Sequence, residues 1–164
     1  MKELVIVLGL SWSEKKKYIF NEFKEAQMIW PFSIKNAMEY TRIPKDSKNT
    51  FYLITEILAR SLLISNFKTV VVDEHSLELE SIFIWKKIAV EHGYEIRVLI
   101  VDVPIEDCFP ARDQRTKQRV KNIIKSGRKL EQLKEILEMK YQNVIDKFEV
   151  VQPIIVEEKE DEVL

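Results

Sequence analysis

The stretch LVIVLGLSWSEKK, residues 4–16, decides the fold of this 164-residue chain. It opens with five aliphatic residues in succession, which is the pattern of a strand buried on both faces of a parallel sheet. Gly9 ends this run, and the spacing of Ser11 and Glu14 matches a capping box at the start of a helix. We therefore predict a buried strand, a turn and a helix. The inner face of this helix is predicted to carry Ile19, Phe20 and Phe23.

Strand-like and helix-like segments alternate along the rest of the chain. Further strands are predicted at 27–30, 69–73, 95–103 and 150–156, and further helices at 33–41, 51–64, 79–92 and 129–147. The residues of helix 51–64 that are predicted to face inward are Phe51, Ile54, Ile57, Leu58 and Leu62. This alternation predicts a three-layer αβα sandwich with a mostly parallel sheet, which binds ligands at the carboxyl ends of its strands. We expect one domain over residues 1–156 and an acidic tail over residues 157–164.

Composition narrows the class of function. Lysine and arginine number 26 and aspartate and glutamate 27, so the net charge of −1 argues against a whole surface built for nucleic acid or anionic membrane. The lone Cys108 excludes an internal disulfide framework and a Cys-rich zinc site, and we expect a buried thiol. The longest apolar run is far shorter than the roughly 20 residues of a membrane span, and the first seven residues do not resemble a signal peptide. The expectation is a cytoplasmic protein with no membrane partner.

Residues 9–16 can be aligned with the phosphate-loop pattern G-x-x-x-x-G-K-[ST], whose amides and lysine hold phosphates and whose hydroxyl binds magnesium. Gly9 and Lys15 match the first glycine and the lysine. Glu14 replaces the second glycine with a Cβ and a negative charge, and Lys16 replaces the hydroxyl. An ordinary strand-turn-helix explains the same residues equally well. The predicted degenerate phosphate loop consists of Gly9, Ser11, Ser13 and Lys15.

The segment from residue 70 to residue 104 carries a stronger pattern. It reads VVVDEHSLELESIFIWKKIAVEHGYEIRVLIVDVP, with a strand ending in an acidic turn, a helix containing a tryptophan, and a strand ending in D-V-P. This segment is similar to the corresponding part of phage polynucleotide 5'-kinase domains, and with the loop the likeness extends over residues 1–140. The matching residues are Trp85, Glu91, Gly93, Tyr94, Asp102, Val103 and Pro104. The resemblance implies a P-loop-kinase-like fold.

The same resemblance implies that the catalytic elements of the family are altered here. The family's aspartate general base falls on Phe32 or Ser33, so that only Lys35 keeps a charge in that turn, and Glu74 remains in the acidic turn with changed neighbours. Loss of a general base costs roughly 10²- to 10⁴-fold in rate, and loss of the metal-binding hydroxyl removes charge neutralisation as well. The resemblance therefore implies no catalytic residue, no metal site and no cofactor. The arginines of the family's lid correspond to Arg112, Arg115 and Arg119.

Residues 111–129 hold eight basic side chains and one acidic side chain. Such a concentration suits contacts with phosphates, and a solvated helix face can also carry it. Trp12 is predicted to be half-exposed beside the nucleotide cleft, whereas Trp30 and Trp85 are predicted to lie in the core. His75 is interpreted as an ordinary turn residue rather than a metal ligand or an acid-base group. The predicted surface for nucleic acid or another partner consists of Trp12, Lys35, Arg112, Arg115, Lys117, Arg119 and Lys121.

Two functional hypotheses follow. The first is a pseudoenzyme that binds nucleic acid, or an acidic protein surface such as that of RNA polymerase. It would be encoded by a phage, act in the host cytoplasm and regulate host transcription during host takeover. The alternative is an active 5'-polynucleotide or nucleoside kinase that uses ATP and Mg²⁺ with an altered loop and with Glu74 as its base. Binding of nucleotide separates the two hypotheses.

Overall fold

The computed structural model describes residues 1–11, 13–44, 47–140 and 144–153, apart from the side chain of Phe32. Within these residues, five parallel strands form one sheet in the order β2-β3-β1-β4-β5. The strands are β1 (Glu3–Gly9), β2 (Gln27–Ile29), β3 (Thr69–Asp73), β4 (Glu95–Val101) and β5 (Lys147–Val151). The α-helices are α1 (Lys15–Glu22), α2 (Pro31–Tyr40), α3 (Lys48–Ile64), α4 (Leu79–Glu91) and α5 (Lys117–Lys140). The predicted parallel α/β architecture is confirmed.

The strand order determines where a ligand site can form. From β1 the chain crosses β3 to reach β2, and from β3 it crosses β1 in the opposite direction to reach β4. Because such crossovers are right-handed, α1 and α4 lie on opposite faces of the sheet. The ends of β1 and β3, which are paired at Val7 and Asp73, therefore flank the point at which open parallel sheets bind ligands.

The core forms around the strands that the sequence marks most clearly. Residues 4–8 of β1 have no exposed surface, and Val70, Val71 and Val72 of β3 are at most 1% exposed. Full burial of a large aliphatic side chain stabilises a fold by roughly 1.5–3 kcal/mol. The continuous apolar runs thus mark the central strands, as predicted.

The start of α1 differs from the predicted capping box. The helix begins at Lys15, so Glu14 is its N-cap residue, and the Glu14 side chain makes no capping hydrogen bond. Ser11 lies too far before the helix to cap it. The turn before α1 is therefore longer than the capping-box pattern predicts.

Only part of the predicted inner face of α1 is buried. Ile19 has no exposed surface and Phe23 is half-buried, as predicted. Phe20 is 51% exposed, so its predicted inward position is wrong. The Phe20 ring instead stacks on the half-buried Trp30, with 5.2 Å between ring centroids.

A different face of α3 packs on the core from the one predicted. Its buried residues are Thr55, Ala59 and Leu63, and small side chains at two of these positions allow a close approach to the sheet. The predicted inward placement of Ile57 and Leu58 is wrong, because they are 56% and 37% exposed. The helix is apolar on nearly every side, so its periodicity does not select one face. The other residues predicted to face inward are half-buried, namely Phe51, Ile54 and Leu62.

The basic segment belongs to the last helix. We predicted a helix over residues 129–147, but α5 begins twelve residues earlier, at Lys117. Thr116 caps it, since its Oγ1 accepts a hydrogen bond from the Arg119 backbone N–H at 3.1 Å. The first half of this helix is therefore the basic segment itself.

The chain after α5 also differs from the prediction. β5 covers Lys147–Val151 rather than residues 150–156. The acidic tail, residues 157–164, lies outside the described residues. No helix in the described part of the chain is both long and apolar enough to cross a membrane.

Candidate phosphate loop and basic helix

The loop between β1 and α1 is tightly packed. A Cβ at Gly9 would lie 3.2 Å from the backbone oxygen of Val101 and 3.3 Å from the Ser13 hydroxyl. The Ser13 N–H donates to the carbonyl of Leu10 at 3.2 Å and closes a turn. Ser13 is 2% exposed, and its hydroxyl has no hydrogen-bond partner among the described residues. Trp12, which was predicted to contact a partner, lies outside those residues.

Glu14 has a backbone conformation that favours glycine. Its φ of 58° and ψ of 21° lie in the left-handed region, where a Cβ costs roughly 1–2 kcal/mol. This is the position at which the phosphate-loop pattern has its second glycine. Glu14 therefore adopts, at this position, a backbone conformation that its own residue type does not favour.

Replacing Glu14 by glycine is expected to raise the free energy of unfolding by up to about 1 kcal/mol. Relief of the left-handed penalty exceeds the roughly 0.5–1 kcal/mol that glycine costs in conformational entropy. Urea denaturation measures the change. The control Lys16→Gly lies inside α1 and is expected to lower stability by about 1 kcal/mol. A loss of stability at both positions would contradict the left-handed conformation of Glu14.

Lys15 is buried at the start of α1 and paired within the protein. Its ammonium lies 2.7 Å from Asp73 Oδ1 and donates to the backbone oxygen of Glu74 at 3.0 Å. Lys15 and Asp73 are each 7% exposed. A buried charge is stable when it is paired and hydrogen-bonded. The positive charge that a phosphate would neutralise is therefore already neutralised by the carboxylate at the end of β3.

The Glu74 carboxylate is held by two hydrogen bonds. Oε2 accepts a bond from Trp85 Nε1 at 2.6 Å, and Oε1 accepts one from the Ser76 backbone N–H at 2.9 Å. Trp85 is 6% exposed, which confirms its predicted place in the core. The two bonds fix the orientation of the Glu74 carboxylate against Trp85 and the Ser76 backbone.

His75 lies beside the ion pair of Lys15 and Asp73. Its Nε2 lies 3.6 Å from Asp73 Oδ2. Partial desolvation, and then repulsion by Lys15, lower the pKa of His75, so that the imidazole is neutral at pH 7. The imidazole remains 60% exposed, so solvent screens its interaction with these charges. Among the described residues, no three His, Cys, Asp or Glu side chains are grouped so that they could hold a metal ion.

A groove of about 380 Å³ opens beside this turn, between α2, α3 and α4. Lys35 lies on its rim, with its ammonium 5.6 Å from the ring centroid of Phe51. Tyr52, His75 and Trp85 line the same groove. The predicted binding residue Lys35 thus shares this groove with His75 and Trp85. Lys16 is exposed, and its ammonium lies 5.3 Å from the Trp30 ring centroid.

The three predicted lid arginines lie around the start of α5. Arg112 is exposed in a 3-10 helix, Arg112–Gln114. Arg115 donates through Nε to the carbonyl of Pro110 at 2.9 Å, and its guanidinium carbon lies 5.7 Å from the Phe109 ring centroid. Arg119 donates through Nη1 to the Gln114 carbonyl at 3.1 Å. Two of the three guanidinium groups therefore also order the segment that leads into the helix.

α5 packs beside the phosphate loop. A Cβ at Gly127 would lie 2.4 Å from Ile105 Cδ1 and 3.9 Å from Leu10 Cδ1, so the glycine permits a close approach at this point. Lys117 and Lys121 are exposed on this helix. The loop residues and the basic helix, which are distant in sequence, are thus adjacent in the fold.

Cys108 has no part in this site. It has no exposed surface and ends the 3-10 helix Ile105–Cys108. Burial, with a smaller contribution from the carboxylate of Asp107, raises the pKa of its thiol to about 11. A thiol of this kind stays protonated and unreactive at neutral pH, in agreement with the prediction.

Comparison with known proteins defines the class of the fold. The chain is similar to a chain of the PezAT chromosomal toxin-antitoxin system of Streptococcus pneumoniae, with a TM-score of 0.65 and 14% identity, over 93% of this chain and 67% of that chain. It is also similar to a candidate kinase from Chloroflexus aurantiacus, with a TM-score of 0.57 and 11% identity, over 92% of this chain and 85% of that chain. No protein-family model and no curated protein matches the sequence. The similarities show a P-loop-kinase-like fold, as the resemblance implied.

Proposed function

We propose that this chain is a P-loop-kinase-like protein without kinase activity, and that it binds nucleic acid or an acidic surface of a nucleic-acid machine such as RNA polymerase. The buried pair of Lys15 and Asp73 carries the first part of the proposal. The phosphate-loop lysine is bonded to a carboxylate 2.7 Å away and to a backbone carbonyl. A phosphate entering the loop would displace a partner of Lys15 and would meet the uncompensated charge of Asp73.

Other changes in the loop support the same conclusion. The exposed Glu14 carboxylate stands where phosphate oxygens would be held, and Lys16 cannot ligate magnesium because an ammonium has no lone pair. In line with the sequence resemblance, the proposal includes no catalytic residue, no metal and no cofactor.

The first half of α5 supports the binding part of the proposal. Its basic side chains are exposed, on a protein whose net charge is −1. Positive charge concentrated in one place is typical of surfaces that contact phosphates or acidic proteins. The proposed contact residues are Trp12, Lys35, Arg112, Arg115, Lys117, Arg119 and Lys121.

In its most specific form, the proposal makes the chain a relative of phage polynucleotide 5'-kinases that acts in the host cytoplasm as a regulator of host transcription. The phage host-transcription terminator Alc is a protein of similar small size with such a role. This form of the proposal rests on the sequence resemblance and on chain length.

Two observations favour the alternative, a working kinase that uses ATP and Mg²⁺. Glu14 is in the left-handed conformation at the position of the second glycine of the phosphate-loop pattern, and the Ser13 hydroxyl points to no partner among the described residues. The alternative needs a base, however, and both oxygens of Glu74 are engaged. For this reason we favour the non-catalytic function.

Affinity capture with and without nuclease tests the proposed function. We expect the immobilised protein to retain nucleic acid or purified RNA polymerase, and a variant with Arg112→Gln, Arg115→Gln and Arg119→Gln to retain clearly less. If nuclease abolishes capture of the polymerase, the contact is with nucleic acid; if it does not, the contact is with the protein surface. Equal retention of every probe by the triple variant and the unaltered protein would contradict the assignment of these arginines.

A further inference from the structure

One face of α5 carries a straight row of cations. The buried residues of the helix are Ile123, Gly127, Leu130, Leu133 and Leu137. On the opposite face, at intervals of four, four and three residues, stand Lys117, Lys121, Lys125 and Arg128, all of them exposed. At a rise of 1.5 Å per residue this row is about 16 Å long. We call these four side chains the α5 row; it points into solvent, away from the protein.

The described residues offer no counter-charge to the α5 row. Within the described part of the chain, none of the four side chains joins an ion pair. The neighbouring lysines of the same helix do: Lys129 lies 2.9 Å from Glu78, and Lys134 lies 3.4 Å from Asp102. Lys129 and Lys134 are thus directed at carboxylates of the protein body, whereas the four side chains of the α5 row point outward and, among the described residues, have no carboxylate within ion-pair distance.

Helix electrostatics make this row unfavourable for folding. The N-terminus of a helix carries partial positive charge, so a cation in the first turn destabilises it by a few tenths of a kcal/mol. The first turn of α5 contains Lys117 and no acidic residue. The N-terminus of α5 is stabilised instead by the Thr116 cap. The placement of these charges is therefore not explained by helix stability.

The chemistry of the row indicates a ligand recognised by charge alone. Residues 117–129 contain no aromatic side chain, and proteins that bind single strands without sequence preference stack bases on aromatic rings. A rigid row of cations matches a rigid row of phosphates, and a duplex presents a higher linear density of charge than a single strand. Contacts with phosphates position a protein on a duplex without reading its sequence.

We infer that the α5 row binds the phosphate backbone of a nucleic-acid duplex, without regard to base sequence. The inference rests on the proposed function and narrows its partner to one class. It also extends the contact along the solvent face of α5, from Lys117 and Lys121 to Lys125 and Arg128. Preferential binding of an acidic protein or of a single strand would therefore overturn it.

Binding of a duplex DNA probe over a salt series tests this inference. Each phosphate contact adds about −0.9 to the slope of log K against log salt, so four contacts on the α5 row contribute about −3.6. The variant Lys117→Gln, Lys121→Gln, Lys125→Gln removes three of these contacts and should make the slope shallower by about 2.7, which reduces the loss of affinity between 50 and 200 mM salt by about 40-fold. Two duplexes of equal length and different sequence should bind equally.

A matched control removes the same charge elsewhere. The control variant is Lys24→Gln, Lys68→Gln, Lys87→Gln, whose three lysines are exposed and lie outside α5. It should keep the slope of the unaltered protein. The α5 variant should melt no lower than the unaltered protein, since a cation is removed from the helix N-terminus. A loss of duplex binding in that folded variant alone supports the inference.

Four results would overturn the inference. Equal slopes in the two variants would mean that the α5 row makes no contact. Tighter binding of a single strand than of a duplex would reassign the ligand and leave the proposed function intact. Nuclease-resistant binding of RNA polymerase, with no affinity for either nucleic acid, would also reassign the ligand and leave the proposed function intact. Absence of binding to all of these probes would contradict the proposed function as well as the inference.

Discussion

Replacing Asp73 by alanine is expected to lower the free energy of unfolding by roughly 3–5 kcal/mol. The substitution leaves the Lys15 ammonium buried, with the Glu74 backbone oxygen as its remaining acceptor. A buried charge without a counter-charge is among the most destabilising features of a folded protein. Urea denaturation measures the loss, and Asp102→Ala is the control, because the ion pair of Asp102 with Lys134 is more exposed and should be worth at most about 1 kcal/mol.

A double variant shows whether the cost comes from the pair itself. Lys15→Met with Asp73→Leu removes both charges and is expected to cost much less than Asp73→Ala, because exchange of a buried ion pair for apolar residues is often neutral or stabilising. If Asp73→Ala unfolds no more easily than Asp102→Ala, Lys15 is not held by Asp73. The phosphate loop would then have a free lysine, as a working kinase requires.

Truncating Trp85 to alanine is expected to cost roughly 3–5 kcal/mol, since it removes a large buried aromatic ring. The ring is 6% exposed, and its Nε1 donates to Glu74 at 2.6 Å. Trp85→Phe keeps most of the apolar surface but leaves the Glu74 oxygen without its donor, which costs roughly 1–3 kcal/mol. Thermal denaturation distinguishes the two variants, and a Trp85→Phe variant that melts at the same temperature as the unaltered protein would mean that the hydrogen bond contributes nothing.

Trp12 provides the contrast to Trp85. We predict that Trp12→Ala impairs partner binding while leaving thermal stability nearly unchanged, because it follows Gly9 in the loop and the core is supplied by β1 and Ile19. A loss of stability as large as that of Trp85→Ala would place Trp12 in the core. The contact surface would then consist of the basic residues alone.

The parallel sheet could be predicted from the sequence because its signal is local. Residues 4–8 and 69–73 are continuous apolar runs, which are typical of strands buried on both faces. Helix faces were harder to predict. α3 is apolar on nearly all sides, so only packing against the sheet selects Ala59 over Ile57 as its buried residue. The start of α5 depends on the Thr116 cap, whose side chain accepts a hydrogen bond from the Arg119 backbone. In the sequence, this threonine does not stand out from the other polar residues of the basic segment.

The site was predicted only as a set of separate residues. The phosphate-loop pattern identifies Lys15, and the acidic turn identifies Glu74, but neither pattern indicates that Lys15 bonds Asp73 or that Glu74 bonds Trp85. These contacts join residues from different strands and helices, so they arise from the order of strands in the sheet. A positive φ at Glu14 is likewise invisible in a residue type that seldom adopts it.

Calorimetric titration with Mg²⁺ and ATP tests the central claim most directly. Because Asp73 neutralises the Lys15 ammonium at 2.7 Å and Lys16 offers no lone pair to magnesium, we expect no binding at millimolar ATP. A parallel assay with labelled γ-phosphate and a 5'-hydroxyl oligonucleotide should show no transfer. A micromolar Kd for ATP, or transfer of the labelled phosphate, would contradict the account and establish the protein as a kinase.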